Sequence, residues 1–320
     1  MRPFRALCAA AFGVAATLAA AQQWPARPIL TVGPYSAGAA TDVVGRIVLD
    51  QVGREIGQPF VIETRPGAGG VVGVGSVVRA EPDGYTTLLS SSSMSSAVIT
   101  HASLPYDAVR DLRGVAMFGV QPNVLVVSPG KGYKNVADLV AAAKAKPGAL
   151  NFGSAGIGSA SHISGTRFAL AAGIAVQHIP FKGPEALNEL MAGRLDYYFV
   201  PLAPAVGLIS QGKVLPLAVS TRERAPLLPD VPSIAEAGYP DAEYLFWGGL
   251  SAPAKTPPDI IDKLNAAVNK SLDDAQVREK LFKIGVMPLP MTPAQYQKYF
   301  ADDVAAMEKL AKDAHIEPTE

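Results

Sequence analysis

The residues of this chain that can do chemistry lie in two short runs of small side chains. Asn151-Phe-Gly-Ser-Ala-Gly-Ile-Gly-Ser-Ala-Ser-His162 and Pro34-Tyr-Ser-Ala-Gly-Ala-Ala-Thr-Asp42 each follow a strand-like stretch and lead into a helical pattern. The start of a helix leaves several N–H groups without acceptors, and its dipole favours negative charge there. Small residues let that backbone approach a ligand, and the hydroxyls of Ser36, Thr41, Ser154 and Ser159 add donors. A carboxylate taken out of water needs several donors, and such loops supply them without a counter-charge. Two such cradles facing one another imply a protein that captures an organic anion.

Other chemistries find little support. The only cysteine, Cys8, lies in the N-terminal apolar stretch, so disulfides and thiolate chemistry are excluded from the remainder. His101, His162, His178 and His315 are scattered without metal-ligand spacing, and no cofactor or metal is expected. The run Gly67-Ala-Gly-Gly-Val-Val-Gly73 fails the dinucleotide template, because Val72 stands where the third glycine belongs; it reads as a tight strand-to-helix connection. A secreted serine hydrolase is the enzymatic alternative, given the serine-rich Ser90 to Ser96, but the chain has no Gly-x-Ser-x-Gly elbow. The reading is therefore not an enzyme. His162, within the second cradle, is left three roles: capping the helix, touching ligand or packing. Asp42 reads as a structural partner of the first helix's N–H groups, since it would repel a carboxylate. Lys182-Gly183-Pro184 opens another helix, and its lysine reads as solvated.

The elements that must position these loops alternate as in a layered α/β protein. Strands are expected at 28–32, 60–63, 85–90, 123–127, 150–153, 197–200, 217–220 and 245–252, and helices at 41–57, 71–80, 136–145, 162–172, 185–192, 259–272 and 294–314. Residues 225–232 read as a surface loop, and the acids and lysines of 302–309 as the solvated face of a terminal helix. Arg2, Arg5, the apolar run Ala6 to Ala20 and Ala19-Ala20-Ala21 before Gln22 form a secretory signal pattern, cleaved near Ala21-Gln22. The protein is thus expected in the periplasm. Basic and acidic residues balance at 28 each; removing Arg2 and Arg5 leaves 26 against 28, a net charge of −2. No basic block appears, which argues against nucleic acid and anionic membrane as partners.

The motifs Trp24-Pro-Ala-Arg-Pro-Ile29, Pro34 to Asp42, Glu63-Thr-Arg-Pro-Gly-Ala-Gly-Gly70, Pro82-Asp-Gly-Tyr85, Leu104-Pro-Tyr-Asp107, Asn151 to Gly156 and Leu228-Pro-Asp-Val-Pro-Ser-Ile-Ala-Glu-Ala-Gly238 recur together in one known group. Over nearly the whole chain after residue 21 it resembles the Bug-type periplasmic receptors, the solute-binding proteins of tripartite tricarboxylate transporters. The resemblance implies a two-domain Venus-flytrap binding protein of the type II kind, with the ligand cleft between its domains. A discontinuous α/β domain 1 (residues 22–124 and 246–320) is expected around an α/β domain 2 (residues 125–245), with passes near 120–125 and 245–250 as the hinge.

By the same resemblance the ligand contacts are Tyr35, Ser36, Ala39, Ala40 and Thr41 in one loop and Ser154, Ala155, Ser159, Ala160 and His162 in the other. Ser92, Ser93, Val200 and Pro201 complete the expected site. Three departures from relatives stand out. Gly38-Ala39-Ala40 replaces a glycine-rich loop, so Ala39 and Ala40 should adopt ordinary angles. Met94-Ser95-Ser96 replaces Gly-Thr-His in the loop after the strand at 86–89. Val200 stands where relatives carry an aspartate, which disfavours an amino-acid ligand. The expected ligand is an aliphatic dicarboxylate or an aromatic acid, with Val200, Pro201, Phe246 and Trp247 as candidate apolar cleft walls. For Phe246 and Trp247 a place in the core of the hinge strand weighs equally. The implied partners are membrane transporter subunits or, alternatively, a sensor kinase, and the implied state is a monomer.

Overall fold

The structure is a computed structural model that describes residues 24–181 and 185–318. The proposed signal segment and Lys182-Gly183-Pro184 lie outside the described residues. From the N-terminus come β1 (Ile29–Gly33), α1 (Ala40–Ile56), β2 (Phe60–Thr64), α2 (Val71–Val78), β3 (Thr86–Ser91), α3 (Ser92–Thr100), α4 (Ala108–Asp111) and β4 (Leu112–Val127). Then follow α5 (Val136–Ala145), β5 (Asn151–Ser154), α6 (Ala160–Ala172), β6 (Gln177–Pro180), α7 (Glu185–Met191), β7 (Tyr197–Pro201), α8 (Leu202–Ser210) and β8 (Leu215–Val219). The chain ends with β9 (Leu245–Pro253), α9 (Pro258–Asp273), α10 (Ala275–Lys283), β10 (Met287–Pro288) and α11 (Pro293–Asp313).

The strands join in the order β2-β1-β3-β9-β4-β7-β5-β6, with β8 and β10 also pairing with β4. β1, β2 and β3 are parallel, whereas β9 runs antiparallel to both β3 and β4. β4 carries the architecture. Its residues Leu112 to Pro122 pair with β9, while Asn123 to Val127 pair with β7 and β8. The apolar cores divide at the same place. Val44, Val48, Leu49, Val115, Phe118, Ile261 and Leu264 pack together on one side. Leu125, Phe152, Phe168, Tyr197, Phe199 and Leu217 form a core on the other. A smaller cluster of Ile99, Ile163, Tyr244, Met307 and Leu310 joins α3, α6 and α11 across the division.

Local sequence explains the main helices. α1 buries Val44, Val48, Leu49 and Val52 on one face and stops at Gly57. A side chain at Gly45 would come within 2.6 Å of Leu89, so α1 can lie close on the sheet only with glycine there. α5 and α10 are capped by Asn135 and Asp274, and α11 begins with a Thr292/Gln295 capping box.

The strand expected at 123–127 extends back to Leu112, and the loop expected at Met94-Ser95-Ser96 is the middle of helix α3. α3 has no apolar period of its own; its packing against α11 holds it helical. The connection through Gly67 to Gly73 is tight, as expected. A Cβ on Gly73 would meet Arg65 O and Pro34 Cα at 2.7 Å.

Candidate functional site

The first cradle connects β1 to α1. Ala39 is extended (φ −61°, ψ 156°) and precedes α1 without a side-chain cap, so both alanines adopt ordinary angles and Gly38 alone takes positive φ, +82°. Ser36 and Ala40 are exposed, Ala39 is half-buried and Thr41 is buried. Asp42 does not bond the N–H groups of its own helix as expected. Its Oδ2 accepts the Gly38 N–H at 2.9 Å and Arg46 Nε at 3.1 Å, and Arg46 Nη2 lies 2.9 Å from Oδ1. Burial would raise this carboxyl, but those hydrogen bonds and the Arg46 charge outweigh it and hold it below the usual range. Asp42 is thus neutralised from behind, while the Ala40 and Thr41 N–H groups at the helix start remain without protein acceptors.

The second cradle connects β5 to α6, and its hydroxyls are spent on the loop itself. Ser154 Oγ hydrogen-bonds His178 Nε2 at 2.7 Å and both the N–H and the carbonyl of Gly156 at 3.1 Å. Ser159 caps α6 by accepting the His162 N–H, and its hydroxyl donates to Gly156 O at 2.6 Å. The Ala155 N–H donates to Ser161 Oγ at 2.9 Å. Ser154 and Ser159 are therefore not the free donors expected from sequence; they fix the backbone. Among the described residues the Ala160 N–H has no protein acceptor.

His162 is buried and stacks on His178 with ring centroids 4.1 Å apart, and His178 stacks in turn on Phe152 at 4.8 Å. Gly158 N–H donates to His162 Nδ1 at 3.2 Å, which leaves the imidazole proton on Nε2. Burial, then the neighbouring His178, pushes His162 down to about 3. Burial pushes His178 down to about 4. Both rings are neutral near pH 7. No sequence pattern assigns His178 to this loop, because only the pairing of β5 with β6 brings it within hydrogen-bond distance of Ser154.

The two cradles belong to opposite sides of the division in β4, and α3 links them. A Cβ on Gly158 would come within 2.7 Å of Thr100 Cγ2, so the second loop rests directly on α3. At the other end of α3, Ser92 is buried and Ser93 half-buried. Tyr35, from the first loop, packs its ring where a Cβ on Gly70 would stand 2.9 Å away.

The apolar wall is corrected. Val200 is buried in a core with Val124, Leu202 and Val214, leaving only Pro201 exposed at the end of β7. Trp247 is fully buried; its Nε1 donates to Asp303 Oδ2 at 2.7 Å and its ring meets Tyr296, Tyr299 and Phe300 edge-on. It is core. Phe246 is half-buried beside it.

Where β4 and β9 pass between the two sides, Ser220 ties the chain. Its hydroxyl accepts the Asn123 N–H at 2.9 Å and donates to Tyr244 O at 2.7 Å, while Asn123 Nδ2 reaches Ser164 Oγ at 2.9 Å. Among the described residues no group of three His, Cys, Asp or Glu side chains is placed to hold a metal, and no helix is long and apolar enough to cross a membrane.

Comparison with known proteins gives this geometry its context. Residues 44–316 match the tripartite tricarboxylate transporter family receptor. Protein BugT of Bordetella pertussis (strain Tohama I) is 36% identical over 295 residues, covering 91% of this chain and 90% of that one. The structure titled R. palustris Rpa4515 with adipate superposes with a TM-score of 0.80 at 32% identity, over 92% of this chain and 99% of the other. MatC (Rpa3494) from Rhodopseudomonas palustris, with bound malate, gives 0.76 at 30% identity, over 90% and 99%. These relatives share the α/β periplasmic binding protein fold, and the chain belongs to the tripartite tricarboxylate transporter receptor family, the Bug-type periplasmic solute-binding proteins.

Proposed function

We propose that the protein is a monomeric periplasmic receptor that closes around one organic carboxylate and delivers it to the membrane subunits of a tripartite tricarboxylate-type transporter. Residues up to 124 together with 246–320 form one lobe, 125–245 the other, and they swing about the passes at 120–125 and 245–250. One observation carries this reading. Loops 34–42 and 154–162 lie on opposite sides of the division and lead into helix starts where, among the described residues, the Ala40, Thr41 and Ala160 N–H groups have no protein acceptor, and no lysine or arginine belongs to either loop. Such donors suit an anion that must lose its water on closure. The adipate and malate in the related structures support a carboxylate.

Ser154 and His178 have the spacing of a nucleophile and its base, which is the strongest case for a hydrolase. Yet His178 is pushed down to about 4, and among the described residues no carboxylate is recorded on its ring to orient it. The pair shapes the loop, and the protein binds without turnover.

A thermal-shift screen over C4–C10 dicarboxylates, citrate, benzoate, phthalates and amino acids tests the proposal, since a ligand of the native state raises its stability with log concentration. At least one acid should raise the melting temperature by several degrees and lose that effect in Ala40→Trp. An unmoved melting temperature across the screen at millimolar dose would end the proposal.

A further inference from the structure

The proline-rich loop 225–232 follows β8 and is tightly pinned. Arg224 Nε donates to Glu236 Oε2 at 2.9 Å and its Nη1 to Pro229 O at 3.1 Å, while the Leu228 N–H donates to Ala225 O at 2.9 Å. Ala225, Leu228 and Val231 pack into the core beneath. Leu227 is left outside it, 41% exposed. Beside it runs α10. Val277 and Leu281 bury one side of this helix, yet its outer stripe of Ala275, Arg278 and Phe282 includes an aromatic side chain that is 36% exposed. Loop and helix together line one groove of about 460 Å³. Single exposed apolar residues need no explanation; two that share a groove, each held on a rigid element, do.

In the proposed division the loop belongs to the lobe of residues 125–245 and α10 to the other, so the groove crosses the lobe boundary. α10 ends at that boundary. Gln121 Nε2, on the pass through β4, donates to Ile284 O at 2.8 Å, and a Cβ on Gly285 would stand 3.0 Å from the Ala203 N of α8. Rotation of the lobes would therefore change the distance between Leu227 and Phe282, and a partner gripping both would read closure. Charge points to the kind of partner. α10 carries Arg278, Lys280 and Lys283 against Glu279, in a chain that is net negative after residue 21. Glu279 is taken by Lys283 at 2.7 Å; among the described residues Arg278 and Lys280 have no acidic partner, and Arg278 lies over the Phe282 ring, 5.9 Å from its centroid. Membrane proteins hold their lysines and arginines mainly on the cytoplasmic side, so acids in their extracytoplasmic loops find few cations of their own. A basic rim around two apolar anchors complements such a loop. We infer that Leu227 and Phe282, rimmed by Arg278 and Lys280, dock an acidic extracytoplasmic loop of the membrane transporter that bears an apolar anchor. This rests on the transporter-receptor reading and names the surface through which it acts. A groove of this size takes one or two side chains, which suits a contact made and broken in each cycle rather than a lasting dimer.

Spheroplasts of the source strain, deleted for this gene and given purified receptor with radiolabelled adipate or the tightest acid from the screen, test the inference. The wild type should restore uptake, and the receptor concentration that gives half-maximal uptake is the readout. Leu227→Asp and Phe282→Asp should raise that concentration at least about tenfold, the effect of losing a central anchor, while binding the acid with unchanged Kd. Phe282→Leu keeps an apolar anchor and should stay close to wild type. The double variant Arg278→Glu/Lys280→Glu should act like the aspartate variants, and the wild type should need more receptor as salt rises from about 50 to 300 mM. Half-maximal concentrations unchanged in both aspartate variants would overturn the docking face. So would self-association of the wild type that Phe282→Asp abolishes in sedimentation, which would assign the face to a second copy. Binding to phosphatidylglycerol vesicles that charge reversal removes, with uptake intact, would overturn it as well. If ligand-loaded wild type restores no uptake, it is the transporter reading itself that falls.

Discussion

Gly158 is the most informative single position, because it experiences two penalties that different measurements separate. Its φ of +76° is left-handed, and a Cβ there would stand 2.7 Å from Thr100 Cγ2 on α3, across the proposed cleft. In Gly158→Ala the left-handed conformation costs about 1–2 kcal/mol whether the lobes are open or closed. That part appears as a fall in melting temperature of roughly 2–8 °C. The clash with Thr100 exists only while the second loop rests on α3. Overpacking of this kind costs about 1–3 kcal/mol, so closure is penalised and affinity falls roughly 5- to 150-fold. Thr100→Ser removes Cγ2 but keeps the hydroxyl that bonds Ser96 O and His101 Nδ1. In the double variant affinity should return toward wild type while the melting temperature remains low. Isothermal titration with adipate, or with the tightest acid from the screen, and calorimetric melting give the two readouts. Unchanged affinity in Gly158→Ala, or a double variant no better than the single, would refute the claim that this contact closes the cleft.

Three further outcomes follow from the same geometry. His178 is depressed in the fold, so the unfolded chain takes up its proton first; the stability this ring contributes is complete above about pH 6.5 and is lost as pH falls toward about 4. Urea midpoints between pH 7 and 4.5 should therefore fall less steeply in His178→Gln than in wild type, and parallel slopes would contradict the burial argument. Asp42 is held low by Arg46 and the Gly38 N–H, so its contribution is present above the unfolded value of about 3.9 and fades below it. Asp42→Asn should melt lower than wild type at pH 7, with the gap closing at pH 3; a constant gap would show that packing alone is responsible. Ser220→Ala strands the buried Asn123 N–H and the Tyr244 carbonyl, and should lower the melting temperature by roughly 3–8 °C without changing the ligand order of preference.

The parts of the fold that sequence revealed are those with a clear period. α1, α5, α9 and α11 each carry an apolar face, and their expected bounds differ from the observed ones by no more than a residue or so. α3, Ser-Ser-Met-Ser-Ser-Ala-Val-Ile-Thr, has no such face because it is buried nearly all round, and its polar side chains face neighbours distant in sequence. α8 was missed because Pro204 sits in its first turn, where proline is tolerated but reads as a breaker. The first half of β4 is hidden by Gly114 and Gly119, beside which the register with β9 shifts, and by Pro122. At the site, the loop positions were legible and the hydroxyl roles were not. Whether Ser154 and Ser159 point at a ligand or at their own backbone depends on His178 and Gly156 geometry, which no local pattern encodes.

That division of labour among the serines has a functional consequence. In the second loop Ser154, Ser159 and Ser161 bond the loop's own N–H and carbonyl groups and thereby fix its shape before a ligand arrives. A preshaped loop loses little freedom on binding, so more of the interaction survives as affinity. The donors left over are backbone N–H groups, which cannot rotate away or change charge with pH. Each is modest in an open, wet cleft and strengthens when water is excluded. In the proposed mechanism affinity resides in the closed state, and only a ligand that spans both loops can shift the equilibrium toward it. An arginine in either loop would hold an anion in the open cleft as well, weakening that discrimination. In the proposed mechanism, the absence of lysine and arginine from residues 34–42 and 154–162 couples capture to closure, and closure is the signal a membrane partner would read.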